Sequence, residues 1–278
     1  MNLSRIAILG PGLLGGSLGL AAQNAGYEVV LWGRNAGRVE ATCALGLKAT
    51  SDLKAALCDA DLVVLAVPVG VMASLFEQLS EYLKAGALVT DVGSVKALPH
   101  RMADESKLPF IGSHPMAGSE QTGIEAARGD LFQGAACALT NDQAREVGEV
   151  ESLEKFWRDM GCQVVLMNSE DHDCAVARIS HLPHAMAVVT ASVGLRSPED
   201  GALAAGGFRD TTRVAAGDPT MWAEIMMENR EALIPALEDA QNEIREMLDQ
   251  LANSDKMGLQ GYLAEVKLRK ETPTESNE

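Results

Sequence analysis

Short runs of apolar, often β-branched residues alternate with helix-like stretches over roughly the first 165 residues. "RIAIL" (Arg5–Leu9), "EVVLW" (Glu28–Trp32), "DLVVLAV" (Asp61–Val67), "ALVTDV" (Ala87–Val92), "PFIG" (Pro109–Gly112), "AACALT" (Ala135–Thr140) and "QVVLM" (Gln163–Met167) read as strands. Their apolar residues run continuously instead of alternating with polar ones, the pattern of strands covered on both faces. Strand-helix alternation of this kind predicts an α/β domain with a doubly wound, mostly parallel sheet. From Ser169 the pattern becomes helical throughout. Asp218-Pro219 combines an N-cap with proline at the first helical position, opening a helix expected to reach Ala252 and to bend at Pro235. Along it Leu233, Leu237, Ala240, Ile244, Met247 and Leu251 recur at steps of three and four, a packing stripe and a candidate homodimer seam. The expected organisation is a Rossmann-type dinucleotide-binding domain over 1–167, an all-α substrate and dimerisation domain over 168–270, and a polar tail over 271–278.

Composition narrows the partners. The 278 residues carry 39 acids against 23 Lys and Arg, a formal charge of −16 that disfavours nucleic acid or an anionic membrane. An anionic small molecule then needs a local cationic cluster. The run after Arg5 resembles a signal peptide, but Pro11 and five glycines interrupt it, and no segment is long enough to span a membrane. Five cysteines without a CxxC pair read as scattered thiols in a reducing, cytoplasmic setting.

Candidate chemistry gathers at the carboxyl ends of the predicted strands. "GPGLLG" sets Gly10, Gly12 and Gly15 in GxGxxG spacing between a strand and a helix, with Leu13 and Leu14 at the helix start. That context makes it a dinucleotide site, the pyrophosphate resting on helix amides. The next strand ends in "WGRN": Gly33 stands where an acid would hold an NAD ribose, and Arg34 and Asn35 follow. Arg34 is a solvated side chain or a partner for a 2′-phosphate; the missing acid favours NADP, with NAD the alternative. Val67 and Pro68, after the third strand, complete the expected cofactor edge. "TDVGSVK" places Ser94 and Lys96 there too, Ser94 as a substrate ligand or a helix cap, Lys96 as a local cation or a first helical turn. "GSHPMAGSE" (Gly112–Glu120) puts His114 in a loop at the same edge, where it could serve catalysis. His172, His181 and His184 are too irregularly spaced for a metal site, with Pro183 expected to interrupt their helix, so no metal is expected. In "GGFRDTTR", Arg209 and Arg213 flank Asp210 on a turn.

The ordered set GPGLLGGS, TDVGSVK, GSHPMAGSE, SHLPH, GFRDTTR and DPTMW resembles the prephenate/arogenate dehydrogenase family of tyrosine biosynthesis. The resemblance covers most of the chain. It implies oxidative decarboxylation of prephenate to 4-hydroxyphenylpyruvate, with arogenate to tyrosine or dual specificity as alternatives. It implies His114 as the base for the ring hydroxyl and Ser94 as its hydrogen-bond partner. Arg213 would grip a substrate carboxylate, His184 and Trp222 would line the side-chain end, and Glu120 and Asp210 would form an ionic network with Arg213. A homodimer through the C-terminal helices follows as well. Neither the mutase nor the regulatory domain fused to some members is expected. A β-hydroxyacid dehydrogenase or imine reductase would carry a lysine in the helix opening at Ser169, which has none. A non-enzymatic NADP sensor would need neither His114 nor Arg213.

Overall fold

A computed structural model describes residues 1–118 and 121–272. In its first half, strands β1 (Arg5–Leu9), β2 (Glu28–Trp32), β3 (Lys48–Thr50), β4 (Leu62–Leu65) and β5 (Leu88–Asp91) form one parallel sheet in the order β3-β2-β1-β4-β5. Helices α1 (Leu13–Asn24), α2 (Ala36–Ala44), α3 (Leu53–Leu57), α4 (Val69–Tyr82) and α5 (Ala97–Glu105) make the crossovers. The continuous apolar runs explain this arrangement, because successive strand residues feed opposite cores. Ile6, Ile8, Leu62 and Val64 pack with α1 on one face. Ala7, Leu9, Val63 and Leu65 pack with α3, α4 and α5 on the other.

The later strands depart from a single continuous sheet. β6 (Gly112–Pro115), β7 (Ala136–Thr140) and β8 (Gln163–Met167) form a second sheet in which β6 and β7 are antiparallel and β7 and β8 parallel. Helix α6 (Val147–Asp159) lies between β7 and β8 in sequence, and its Phe156 and Trp157 enter the first core. The predicted strand over Pro109–Gly112 is therefore displaced. Phe110 makes one parallel bridge to Val89, and the chain then moves to the second sheet at Gly112. This places His114 inside a strand and not in a loop, with only 8% of its surface exposed. The short β3 gave no apolar run and was not expected; its three residues are held by pairing to β2.

Helix α7 (Ser169–Val176), a π-turn over Ala177–His181 and α8 (Leu182–Gly194) form one continuous helical path. Pro183 does not interrupt it, contrary to expectation. Proline falls in the first turn of α8, directly after the π-turn, in which the Leu182 amide donates to the Ala177 carbonyl oxygen. Helices α9 (Pro198–Ala202), α10 (Gly206–Thr212) and α11 (Pro219–Glu228) follow. Asp218 caps α11 through Met221 N at 2.8 Å, as its sequence predicts. The single helix expected to reach Ala252 is instead two: α11 stops at Asn229, and α12 runs from Arg230 to Ala252 with Pro235 inside it. Compact packing divides the chain at Arg230/Glu231. In the second unit, α13 (Lys256–Glu271) is tied to α12 by Tyr262 donating to Glu243 at 2.7 Å. On the α12 stripe Leu237, Ile244 and Leu251 are 36%, 43% and 60% exposed. No helix among the described residues is long and apolar enough to cross a membrane.

Candidate active site

The glycine turn is shaped by contacts that exclude side chains. Gly10 has φ +120°, and a Cβ there would lie 2.2 Å from the carbonyl oxygen of Ala66. A Cβ on Gly15 would lie 2.0 Å from the oxygen of Gly10, so helix and turn close on each other. Gly12, by contrast, has nothing within 4 Å of its Cβ position. No side chain caps α1, and its first turn carries no acid. An uncapped helix start behind open space fits an anionic pyrophosphate, for which the amides of Leu13, Leu14 and Gly15 are suitable donors. At the end of β2, Gly33 is buried against Pro11 and Arg34 is exposed. Asn35 spends its side-chain oxygen on Arg38 N at 3.0 Å, capping α2. Val67 is half-buried and Pro68 is exposed at the start of α4.

Beside this edge lies a buried ionic cluster that holds β5, β6 and α7 together. Asp91 and Lys96 form an ion pair with no exposed side-chain surface. Asp91 also accepts from Gly93 N at 2.9 Å and Ser113 N at 3.0 Å. Asp173 of α7 accepts from Lys96 N at 2.8 Å and Ala97 N at 3.0 Å, capping the start of α5. Ser94 therefore does not cap α5, the second of its two readings. Lys96 is neither a free cation nor an ordinary first-turn residue. The loop carrying Ser94 is pinned by Asp91 on one side and Asp173 on the other.

His114 sits next to this cluster. Its Nδ1 lies 2.8 Å from Nε2 of His172, whose Nδ1 lies 2.8 Å from the Asp173 carboxylate. Burial pushes that carboxyl up, but the hydrogen bonds from His172, Ala97 and Lys96 outweigh it and leave Asp173 below its ordinary range. An ionised carboxylate only accepts, so Nδ1 of His172 donates to Asp173, and in a neutral His172 ring Nε2 is then the acceptor facing His114. With that acceptor, His114 donates from Nδ1 and its own Nε2 is left unprotonated. Burial first, then the charge of Lys96, holds the His114 pKa well below that of a free imidazole. The result is a neutral histidine in the tautomer of a base.

The pH dependence follows with a definite sign. A histidine held neutral by burial loses that form only as pH falls through its depressed folded pKa. We expect kcat/KM to stay level as pH is lowered from 8 past 6.5, with the acid limb appearing only well below the pKa of free histidine. A pH-rate profile, with circular dichroism to exclude unfolding, checks this; a limb centred at 6.5 or above would show a solvated histidine.

The helical segment supplies a second group. His184 and Trp222 stack at 3.5 Å with their planes 9° apart, and burial lowers the His184 pKa. His181 meets the same indole edge-on at 6.3 Å. Arg213 opens a 3₁₀ turn over Arg213–Ala216, one residue before Val214, whose backbone interacts with His184. Arg213 and Asp210 are exposed, and Arg209 donates to the carbonyl oxygen of Ala204. Glu120 lies outside the described residues. Among those described, no group of three or more His, Cys, Asp or Glu is arranged to hold a metal.

Comparison with known proteins decides the family. Residues 18–166 match the model described as prephenate dehydrogenase, nucleotide-binding domain, and 168–265 match prephenate dehydrogenase, dimerization domain. The chain belongs to the prephenate dehydrogenase family. It is similar to the prephenate dehydrogenase of Lactococcus lactis, 30% identical over 95% of this chain and 76% of that one. It is 33% identical to the cyclohexadienyl dehydrogenase of Zymomonas mobilis, over 90% of this chain and 89% of that one. A prephenate dehydrogenase from Aquifex aeolicus, solved in complex with hydroxyphenyl propionate and NAD+, superposes with a TM-score of 0.90. Its identity is 29%, covering 97% of this chain and 98% of that chain. As a member of this family the chain is a dehydrogenase with a nicotinamide-binding domain. His172 and Asp173 are the partners that reading the sequence missed. Along the chain His172 suggests at most a metal ligand, and nothing local marks a contact spanning 58 residues.

Proposed function

We propose that this family member oxidatively decarboxylates prephenate to 4-hydroxyphenylpyruvate, with His114 as the general base. The observation that carries this reading is the hydrogen-bonded chain His114–His172–Asp173; with both rings neutral and Asp173 ionised, it supports an unprotonated Nε2 on His114. As the ring carbinol is oxidised, Nε2 takes the hydroxyl proton. The resulting imidazolium is stabilised by His172, itself held by ionised Asp173. A bound nicotinamide cofactor supplies the acceptor for the hydride. The ring carboxylate then leaves as CO₂, driven by aromatisation, so the chain needs to supply no electrophile for that step. Ser94, on its pinned loop, hydrogen-bonds the same hydroxyl. Arg213 engages a substrate carboxylate, with Asp210 and Glu120 around it, and the His184–Trp222 stack lines the side-chain end. The exposed α12 stripe and the match to a dimerization-domain model support a homodimer through the C-terminal helices.

For the cofactor we propose NADP. Gly33 and exposed Arg34 stand where an acid would otherwise hold a ribose and repel a 2′-phosphate. The test is a steady-state assay crossing prephenate and arogenate with NAD and NADP, repeated with Arg34→Asp. Prephenate with NADP should be the preferred pair. The variant should lose about 10- to 100-fold in kcat/KM for NADP, the scale of one or two charge-assisted hydrogen bonds, and little for NAD. A strong wild-type preference for NAD would refute the role of Arg34. The similarity to a cyclohexadienyl dehydrogenase favours activity on arogenate as the second reading.

A further inference from the structure

Helix α11 and its C-cap carry two residues, Trp222 and Asn229, that address the histidines of the π-turn and α8. Trp222 and Asn229 are seven residues apart, two helical turns, so they share one side of the helix. Trp222 stacks on His184 and meets His181 edge-on. Asn229, only 3% exposed, places its amide nitrogen 2.9 Å from the main-chain oxygen of Asp173 and 3.0 Å from Nδ1 of His181. The chemistry of these partners fixes the protons. A carbonyl oxygen can only accept, so the Asn229 atom facing it is the NH₂ group, and its second hydrogen points to His181. Nδ1 of His181 therefore accepts. Burial lowers the His181 pKa to about 4, outweighing the opposing charge of Asp173, so the ring is neutral. Its one proton must then sit on Nε2.

We propose that Asn229 is a positioning residue that fixes His181 in the Nε2–H tautomer, so that His181 donates a hydrogen bond to an oxygen of the bound substrate. The two buried rings are thus set in opposite states from the two ends of one residue. The Asp173 carboxylate, through His172, makes His114 an acceptor at Nε2. The Asp173 carbonyl, by orienting Asn229, makes His181 a donor at Nε2. This arrangement explains why a buried amide stands at the break between α11 and α12, where a solvated residue would cap the helix equally well.

The proposal rests on the reading of the substrate as an anionic ring acid, but its first test does not. In full-length protein labelled with ¹⁵N-histidine and free of substrate, long-range ¹H–¹⁵N spectra report each ring's tautomer. The His181 signals are identified by their loss in His181→Gln. Wild type should show His181 protonated on Nε2. Asn229→Asp, whose carboxylate can only accept, should move the proton to Nδ1 or protonate both nitrogens. A wild-type ring protonated on Nδ1 overturns the proposal without any variant, as does an unchanged tautomer in Asn229→Asp. In steady-state assays, Asn229→Asp and Asn229→Leu should each raise the substrate KM about tenfold, the worth of one neutral hydrogen bond. The KM for the cofactor should be unchanged. An altered tautomer with an unaltered substrate KM would remove the donor role. If none of the crossed substrates turns over in wild type, the functional reading has failed, and the spectra still decide the tautomer.

Discussion

Replacing His114 with asparagine is expected to lower kcat by about 10²–10⁴, the usual contribution of a positioned general base, while substrate and cofactor binding change little. Asparagine can keep a polar contact with Nε2 of His172, so the buried chain to Asp173 is not left open. It has no basic lone pair with which to take the hydroxyl proton. The loss should therefore fall on turnover and spare affinity, since the missing interaction exists only as the proton moves. Steady-state kinetics together with a cofactor fluorescence titration separate the two. Unchanged turnover would remove His114 as the base, and a lost cofactor affinity with intact kcat would make it a binding residue instead.

The second large effect is on stability. Lys96→Met should destabilise the protein by about 3–5 kcal/mol, because it strands the Asp91 carboxylate without its counter-charge in a site with no solvent. At roughly 2–4 °C per kcal/mol for a unit of this size, that corresponds to a fall in Tm of about 6–20 °C. Lys155→Met is the contrasting case. Its ion pair with Asp159 lies on the surface, the lysine 71% exposed, and should be worth about 1 kcal/mol or less. Differential scanning calorimetry of both variants distinguishes a buried pair from a surface one. Equal Tm shifts would mean that water reaches Asp91. In whatever fraction of Lys96→Met folds, the acid limb of kcat/KM should also move to higher pH, because the lysine charge is one of the forces holding His114 neutral.

These two residues show how unevenly the site could be read along the chain. The glycine turn was legible because its constraints are local. Gly10 needs a positive φ, Gly15 sits against the oxygen of Gly10, and both follow within a few residues of a continuous apolar strand. Lys96 was visible in "TDVGSVK" but could not be assigned. Its partner, five residues earlier, becomes a partner only because the loop folds back beneath β6. His114 stood out as a candidate yet is expected in a loop, since four residues of "GSHP" carry no strand periodicity. They are held as a strand by antiparallel pairing with β7, more than twenty residues away. The break at Asn229 was hidden for the opposite reason. The helical pattern runs through it, and only the pull of Asp173 and His181 on the amide singles that residue out.

What the sequence by itself determined is what short-range physics determines: a parallel sheet from runs buried on both faces, a dinucleotide turn from glycines at fixed spacing, and helices where apolar residues recur every three or four. It also presented the histidines and arginines from which a site could be built. For the histidines, which nitrogen holds the proton is set only by the tertiary structure. A neutral imidazole has one proton and two nitrogens, and the choice between them is made by whichever acceptor or donor the fold brings within 3 Å. For His114 that partner is His172, 58 residues away, and for His181 it is Asn229, 48 residues away. Contacts at such separations depend on the whole path of the chain, and no local pattern of residues encodes them.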